Sequence, residues 1–447
     1  MPCNLTRRSL LVGTAGAFVM SGGAARARGR TPLGGRVAVR VPWPLGSIDP
    51  HRVDDVAAAI FGNALFDTLY THADRDIVPS LAEGDPEADG GSLRIRLRAG
   101  VRTARGHRLD ARDVVASIAR ARAQGARGWL ADVPKPHADA DGATIRFSTK
   151  DPQLLVRALA SPLVAIVPAG FRADRPDGTG PFRAELRSGA MTLTRNAVSA
   201  RGAAWLDEIV VREAADVSDS LRAFETGKDD VGWLGTGLHE PRAGAVPFDA
   251  GLVAYAVLRT GRDAGPAWDA PGVAQSICDG ISYSGLSSLV LGAAWSAATP
   301  TKWGGAPCEL LVRDDAHWLI ELANAIAGSI TDAGHEVTVK TIAPSDLATR
   351  RSSRGYALAL DVARPAATTT SGALAGLSAS DDPSTTADVV RHAPRLGEIP
   401  PRALTKLMRI GVVGEIRVQG GRVPDLILPM AAAGEGVDWG GASRTRR

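Results

Sequence analysis

Residues Leu310 to Ile342 constrain the fold of this chain more than any other stretch. Leu310 to Val312 has the short apolar pattern of a buried strand. Leu319, Leu322, Ala323, Ile326, Ile330 and Ala333 then fall on one helical stripe, Gly334 gives a stop, and Val337 to Ile342 starts a second strand. Two strands joined by a helix of this length pair in parallel, so the chain must contain a sheet that is at least partly parallel, with a right-handed crossover. Arg36 to Val41 and Leu93 to Arg98 alternate apolar and polar residues as half-buried strands do. Asp110 provides a carboxylate N-cap for a helix whose apolar face is Ala111, Val114, Val115, Ile118 and Ala119. The whole is therefore α/β, and 447 residues allow two or three domains. Pro- and Gly-rich Gly235 to Gly251 is the expected linker, and Pro365 to Pro383, rich in Ala, Thr and Ser, is expected to be a loop.

The N-terminus has the form of an export signal. Thr6-Arg7-Arg8-Ser9-Leu10-Leu11-Val12 sets a twin arginine before an apolar, Gly- and Ala-rich run that ends at Ala25-Arg26-Ala27, a small-x-small cleavage pattern. Glycines at 13, 16, 22 and 23 dilute the run below what a membrane span needs. Cys3 precedes the apolar run, so it is not placed as a lipid-anchor cysteine. The expectation is a free periplasmic protein exported by a twin-arginine signal, with residues 1–27 removed. That segment holds Arg7, Arg8 and Arg26 and no acid, so removing it lowers the net charge from +4 to +1. A nearly neutral body has no general attraction for nucleic acid. Cys278 and Cys308 are left, either paired in an oxidising compartment or buried as separate thiols.

Templates for catalysis and metal binding fail on spacing. Gly280-Ile281-Ser282-Tyr283-Ser284-Gly285 is one residue too long for a nucleophile elbow, and His335-Glu336 lacks a second histidine one turn on. Thr226-Gly227-Lys228-Asp229 lacks the flanking residues of a phosphate loop. Asp139-Ala140-Asp141-Gly142 has His137 where a calcium loop needs its first ligand. No catalytic residue, metal site or cofactor is expected.

A collinear series of short segments carries more information. Leu45-Gly46-Ser47-Ile48-Asp49-Pro50-His51 is followed by Asn63-Ala64-Leu65-Phe66-Asp67-Thr68-Leu69 and by Ile77-Val78-Pro79-Ser80-Leu81-Ala82-Glu83. Leu97 to Val101, Gly106 to Val115, Gly178-Thr179-Gly180-Pro181-Phe182, Leu206 to Arg212 and Ala223 to Val231 complete it. In type, order and spacing the series resembles the extracellular solute-binding proteins of family 5, the peptide and nickel group that serves ABC importers. The likeness is strong from about Arg36 to Trp233. It continues through Val273-Ala274-Gln275-Ser276-Ile277, the unit from Leu310 to Ile342, a strand at Tyr356 to Leu360 and a returning strand at Val423 to Pro429.

The resemblance implies a two-lobe periplasmic-binding-protein clamp of type II, with mixed sheets and a hinge between the lobes. Lobe 1 would comprise residues 28–254 and 426–447, and lobe 2 would comprise 255–425, shortened and loop-rich over 365–400. The chain would cross between lobes near Leu252 to Leu258 and near Arg417 to Leu428. It also implies a small-molecule or peptide ligand and an ABC permease as partners, with a monomeric receptor and no chemistry. Trp233 is the first ligand-contact candidate, at the end of a strand the family points toward the cleft; Trp43, Tyr255 and Asp361 are further candidates. Peptide binders of the group often carry a Gly-Trp and then an acid after a second-lobe strand. Here Leu360-Asp361-Val362-Ala363-Arg364-Pro365 lacks the Trp and sets Arg364 near the place of the acid, which would favour an anion over a free amine or leave a surface arginine. A non-transport sensor or scaffold on the same fold, and an exported hydrolase, are the alternative functions.

Overall fold

A computed structural model describes residues 33–73, 76–233, 244–281, 302–379, 405–431 and 436–445. Residues 1–27, and with them the signal, lie outside this set, as do positions 282–285 of the near-elbow. The architecture is the expected α/β clamp with mixed sheets. One ten-stranded sheet runs through both lobes. From the second-lobe edge its order is Val337–Ile342, Cys308–Arg313, Leu358–Ala363, Val246–Thr260, Ile410–Arg422, Val231–Trp233, Arg36–Val41, Glu208–Glu213, Ala190–Arg195 and Phe182–Arg187. A separate four-stranded sheet (Glu87–Asp89, Ser92–Arg96, Thr144–Phe147 and His137–Ala138) forms a subdomain with the helix Ala111–Gln124 and has its own apolar core.

The strand-helix-strand unit is present and parallel. Cys308–Arg313 pairs residue by residue with Val337–Ile342, and the helix His317–Ile330 buries Trp318, Leu319, Leu322, Ala323, Ile326 and Ile330. The helix stops one turn earlier than its stripe predicts. Thr331 turns extended (ψ 138°), and Gly334, at φ +80°, serves the tight turn that leads into the next strand. Cys308–Arg313 also pairs in parallel with Leu358–Ala363, so the strand order reverses at Cys308–Arg313. In the first lobe Arg36–Val41 lies parallel to both Glu208–Glu213 and Val231–Trp233, and the order reverses there too. Such switch points open crevices at the carboxyl ends of the strands.

Two strands longer than any other join the lobes, Val246–Thr260 with 15 residues and Ile410–Arg422 with 13. Their antiparallel register shifts between Asp249 and Leu252, between Leu252 and Ala254, and between Ala256 and Val257. Gly251, at φ +94°, supplies the first of these bulges with a left-handed residue.

Three expectations change. The supposed linker Gly235 to Gly251 becomes strand from Val246 on; Pro247 is tolerated near the start of that strand, while residues 234–243 lie outside the described set. The returning strand is Ile410–Arg422 rather than Val423 to Pro429, where only Leu426–Ile427 is extended. Within the supposed loop 365–383, Thr370–Leu377 is a helix. It shows no amphipathic period because both sides are covered: Ala373, Leu374 and Leu377 pack with Tyr255 and Met408, and Ala375 joins the core of the four-stranded subdomain. Smaller adjustments concern the capped helix, whose Asp110 forms a capping box with Asp113 and whose buried face is Ala111, Val114, Ser117, Ile118 and Ala121 while Ala119 is exposed. Cys278 and Cys308 are free thiols.

Gly178 and Gly180 let the chain press against the end of the helix Val56–Leu65. A Cβ on Gly178 would stand 2.2 Å from the Leu65 carbonyl oxygen, and the Gly180 amide donates to that same oxygen at 3.0 Å. Gly178→Ala should therefore lower unfolding stability by about 1–3 kcal/mol, as overpacked sites do. Gly84→Ala, where a Cβ meets nothing within 4 Å, should be near neutral. Urea unfolding of the two variants checks the contrast; equal effects would remove the close-approach explanation.

Candidate functional site

The loop after the first strand is built on charges that are taken out of water and satisfied locally. Asp49 accepts from the His51 amide at 3.0 Å and is gripped by both terminal nitrogens of Arg120 at 2.7 and 2.5 Å. Burial opposes ionisation of this carboxyl, but Arg120 holds it below the ordinary range. Arg120 Nη1 also donates to His51 Nδ1 at 2.8 Å, which leaves Nε2–H of His51 to donate to the Ala165 carbonyl at 2.7 Å. The imidazole is thus neutral, and burial pushes its pKa down to about 4. Asp55 caps the helix Val56–Leu65, accepting from the amides of Ala58 and Asp49 at 2.8 and 2.7 Å, and burial pushes its carboxyl up to about 6.

That helix forms one wall of a cavity of about 280 Å³. Ala58, Ala59 and Gly62 keep the wall flat, and Asn63, Phe66 and Asp67 complete it. Leu252 and Val253, at the bulges of the long strands, contribute from the join between lobes, and Arg364, Pro365, Ala367 and Thr368 face it from the second lobe. The cavity therefore lies between the helix Val56–Leu65 and the segment that follows the strand Leu358–Ala363.

Its polar groups divide into satisfied and unsatisfied sets. Asp67 is buried, accepts from Thr179 Oγ1 at 2.5 Å and is paired with Arg201, which also donates to the Asn63 carbonyl. Asn63 Nδ2 donates to the Val437 carbonyl at 2.6 Å, while its Oδ1 has no partner among the described residues. Ser80, 4 % exposed, also lines the cavity, and its hydroxyl has no partner there. His72 is kept neutral by burial, which lowers its pKa. Asp438 accepts from the Gly440 amide at 3.1 Å. Among the described residues no group of three or more His, Cys, Asp or Glu is placed to hold a metal ion.

Of the expected contact residues whose side chains are described, only Arg364 lines this cavity. It is buried rather than on the surface: its amide donates to the Val53 carbonyl at 2.7 Å and its guanidinium to the carbonyls of Pro50 and Arg52, both at 3.3 Å. Asp361 is buried, does not line the cavity and is paired with Arg351 at 2.5 Å. Tyr255 sits in an apolar cluster with Leu374, Met408 and Val412. Trp43 is buried between lobes, 6.1 Å from Trp318 and beneath the Arg313 guanidinium at 5.4 Å, which makes it an interlobe contact. Trp233 ends its strand opposite Gly420, and its side chain lies outside the described set. Asn63, Asp67, Ser80 and Arg201 were missed as site residues. The first three stand inside the collinear segments, but their convergence depends on a helix end, a hairpin and the turn at Thr179, which no spacing connects.

Residues 76–242 match the family described as bacterial extracellular solute-binding proteins, family 5 Middle. No curated protein sequence matches the chain. Among solved structures it is similar to NikA from Staphylococcus aureus in complex with Ni(L-His)2, at 14 % identity and a TM-score of 0.64 over 92 % of this chain and 100 % of that one. It is similar to the oligopeptide-binding protein AppA from Bacillus subtilis in complex with a nonapeptide, at 12 % identity and a TM-score of 0.67 over 93 % and 100 %. A third is AgaA in complex with agropinic acid from A. tumefacien R10, at 14 % identity and a TM-score of 0.63 over 92 % and 99 %. At these identities the likeness carries the fold, and it agrees with the two-lobe clamp implied by the motif series.

The buried imidazole gives this region a pH signature. His51 titrates near 6.5 when unfolded and near 4 when folded, so the stability it contributes is complete above pH 6.5 and is lost as pH falls toward 4. Asp55 acts oppositely, because its folded carboxyl takes up a proton below about 6 and the unfolded one only near 3.8. His51→Gln removes the first contribution and keeps the second. The unfolding free-energy difference between the wild-type protein and this variant should shrink by about 3 kcal/mol between pH 7 and pH 4. Urea titrations at the two pH values measure it, and a difference independent of pH would show that His51 is not buried neutral.

Proposed function

We propose, from the premise that the chain carries a family 5 solute-binding region across residues 76–242, that it is a periplasmic receptor that encloses a small solute between its lobes and delivers it to an ABC import permease. The observation that carries this reading is the cavity at the join of the lobes, walled by the helix Val56–Leu65 on one side and by Arg364 to Thr368 on the other. A solute there touches both lobes and binds the closed form better than the open one, which is how a ligand shifts a hinge equilibrium. We place the hinge at the bulges around Asp249 to Ala254, where the paired long strands lose register. Export by the twin-arginine segment Arg7-Arg8 belongs to the same proposal.

Size and polarity narrow the solute. At about 280 Å³ the cavity is near the lower end of ligand pockets, roughly 300–1,000 Å³. It suits an amino-acid derivative or a dipeptide better than a long peptide. Arg364 offers a cationic contact from one wall and Asp438 an anionic one. A solute bearing both an acid and hydrogen-bond donors fits this set, and its binding needs no chemical step.

Thermal unfolding tests the reading with dipeptides, a nickel–histidine chelate and opine-type amino-acid derivatives. A bound solute raises Tm by mass action, and small zwitterionic or anionic solutes should give the saturable shift. Asp438→Asn should weaken a solute that carries a cationic or donor group roughly 10- to 100-fold, the worth of a hydrogen bond to a charged group. If no member of the three classes moves Tm, solute binding is not the function.

A further inference from the structure

Outside the cavity, the two lobes meet in a buried cluster of charges. Asp54, on the first-lobe loop, accepts from Arg52 at 2.8 Å and from Arg351, on the second-lobe helix Pro344–Ser353, at 3.2 Å. Arg351 also donates to Asp361 at 2.5 Å, and Arg259 stands 3.8 Å from the same Asp361 oxygen. Arg313 donates to the Asp54 main-chain carbonyl at 3.2 Å and pairs with Asp315 at 2.5 and 2.7 Å. Side-chain exposure is 6 % for Asp54, 14 % for Arg351 and 1 % for Asp361, so water screens these pairs little. Burial alone would raise the Asp54 carboxyl, but Arg351 and Arg52 hold it far below the ordinary range.

The placement of Asp54 links the cluster to the cavity. It immediately precedes Asp55, the cap of the helix that forms the first-lobe wall, and Val53 on its other side accepts the amide of Arg364, which belongs to the second-lobe wall. Asp54 itself does not line the cavity. Asp54 is the first-lobe carboxylate in the cluster, set against Arg259, Arg313 and Arg351 of the second lobe; Asp315 and Asp361 also belong to the second lobe and remain with the arginines when the lobes part.

We infer that Asp54 is a positioning residue for solute binding: through Arg351 it latches the lobes and fixes the distance between the two walls of the cavity. Removing its charge leaves Arg351 with Asp361, so the second lobe keeps its own pairing while the link between lobes is cut. The inference rests on the two-lobe fold and needs no knowledge of the solute.

Small-angle scattering of the solute-free, processed protein tests it. Asp54→Asn, close in shape to the native residue, and Arg351→Gln should each shift the profile to a larger radius of gyration. Lys340→Met, which breaks the exposed pair of Lys340 with Glu309, should leave it unchanged. For any solute that raises the wild-type Tm, the apparent Kd of Asp54→Asn should rise in proportion to the fall in the closed fraction. Asp54→Glu should restore part of the closed population. A lower Tm for Asp54→Asn with a scattering profile identical to wild type would overturn the inference, since the cluster would then be structural only. Because the scattering is read without solute, this outcome is distinct from failure of the solute-binding reading.

Discussion

The docking of the loop Asp49–Asp55 onto the carboxyl ends of the second-lobe strands is the contact on which the site depends. The loop leaves the first-lobe sheet just beyond Arg36–Val41, where strand order reverses, and meets the second lobe at Arg313, Asp361 and Arg364, where order reverses again. Each reversal leaves a crevice because the connections on its two sides run to opposite faces of the sheet. Here the loop contacts residues at the second reversal, where Arg313 donates to the Asp54 carbonyl and the Arg364 amide to the Val53 carbonyl. Charge is handled in the same place. Arg120 satisfies Asp49 of the loop, while Asp54 is shared between Arg52 of the loop and Arg351 of the second lobe.

This division has an energetic reason. Breaking a buried pair by removing one partner costs about 3–5 kcal/mol, whereas the intact pair contributes little net stability. Charges buried across a joint therefore make poor glue and good registration devices: they penalise wrong closed geometries more than they favour closure itself. Trp43 against Trp318 supplies the apolar part of the same joint. Apolar contact sets how strongly the lobes attract, and the ion pairs set how they align.

The fold was legible where periodicity has a single cause. The helix His317–Ile330 is buried on one stripe, and Asp110 caps a helix whose first turn it satisfies, so both stood out. Legibility failed where burial is two-sided or glycine is frequent. Thr370–Leu377 shows no stripe because two cores cover it, and Ile410–Arg422, with four glycines, hid a strand of 13 residues. The site was less legible than the fold. Trp43 and Tyr255 have the chemistry of ligand contacts, yet their large apolar surfaces are spent on the joint and on a second-lobe core. Arg364, singled out by its motif context, lines the cavity, but the sequence did not show its burial.

Small residues make the space of the cavity. Ala58, Ala59, Gly62, Ala160, Ala165 and Ala367 leave space by being small, and small residues carry no signature of function in a sequence in which glycine and alanine are abundant. What distinguishes the site is the satisfaction of its polar groups. Asp67, Arg201 and the amide nitrogen of Asn63 are matched within the protein, whereas Asn63 Oδ1 and Ser80 Oγ are not. An unmet buried polar atom costs about 1–3 kcal/mol, a cost that the fold carries at both positions.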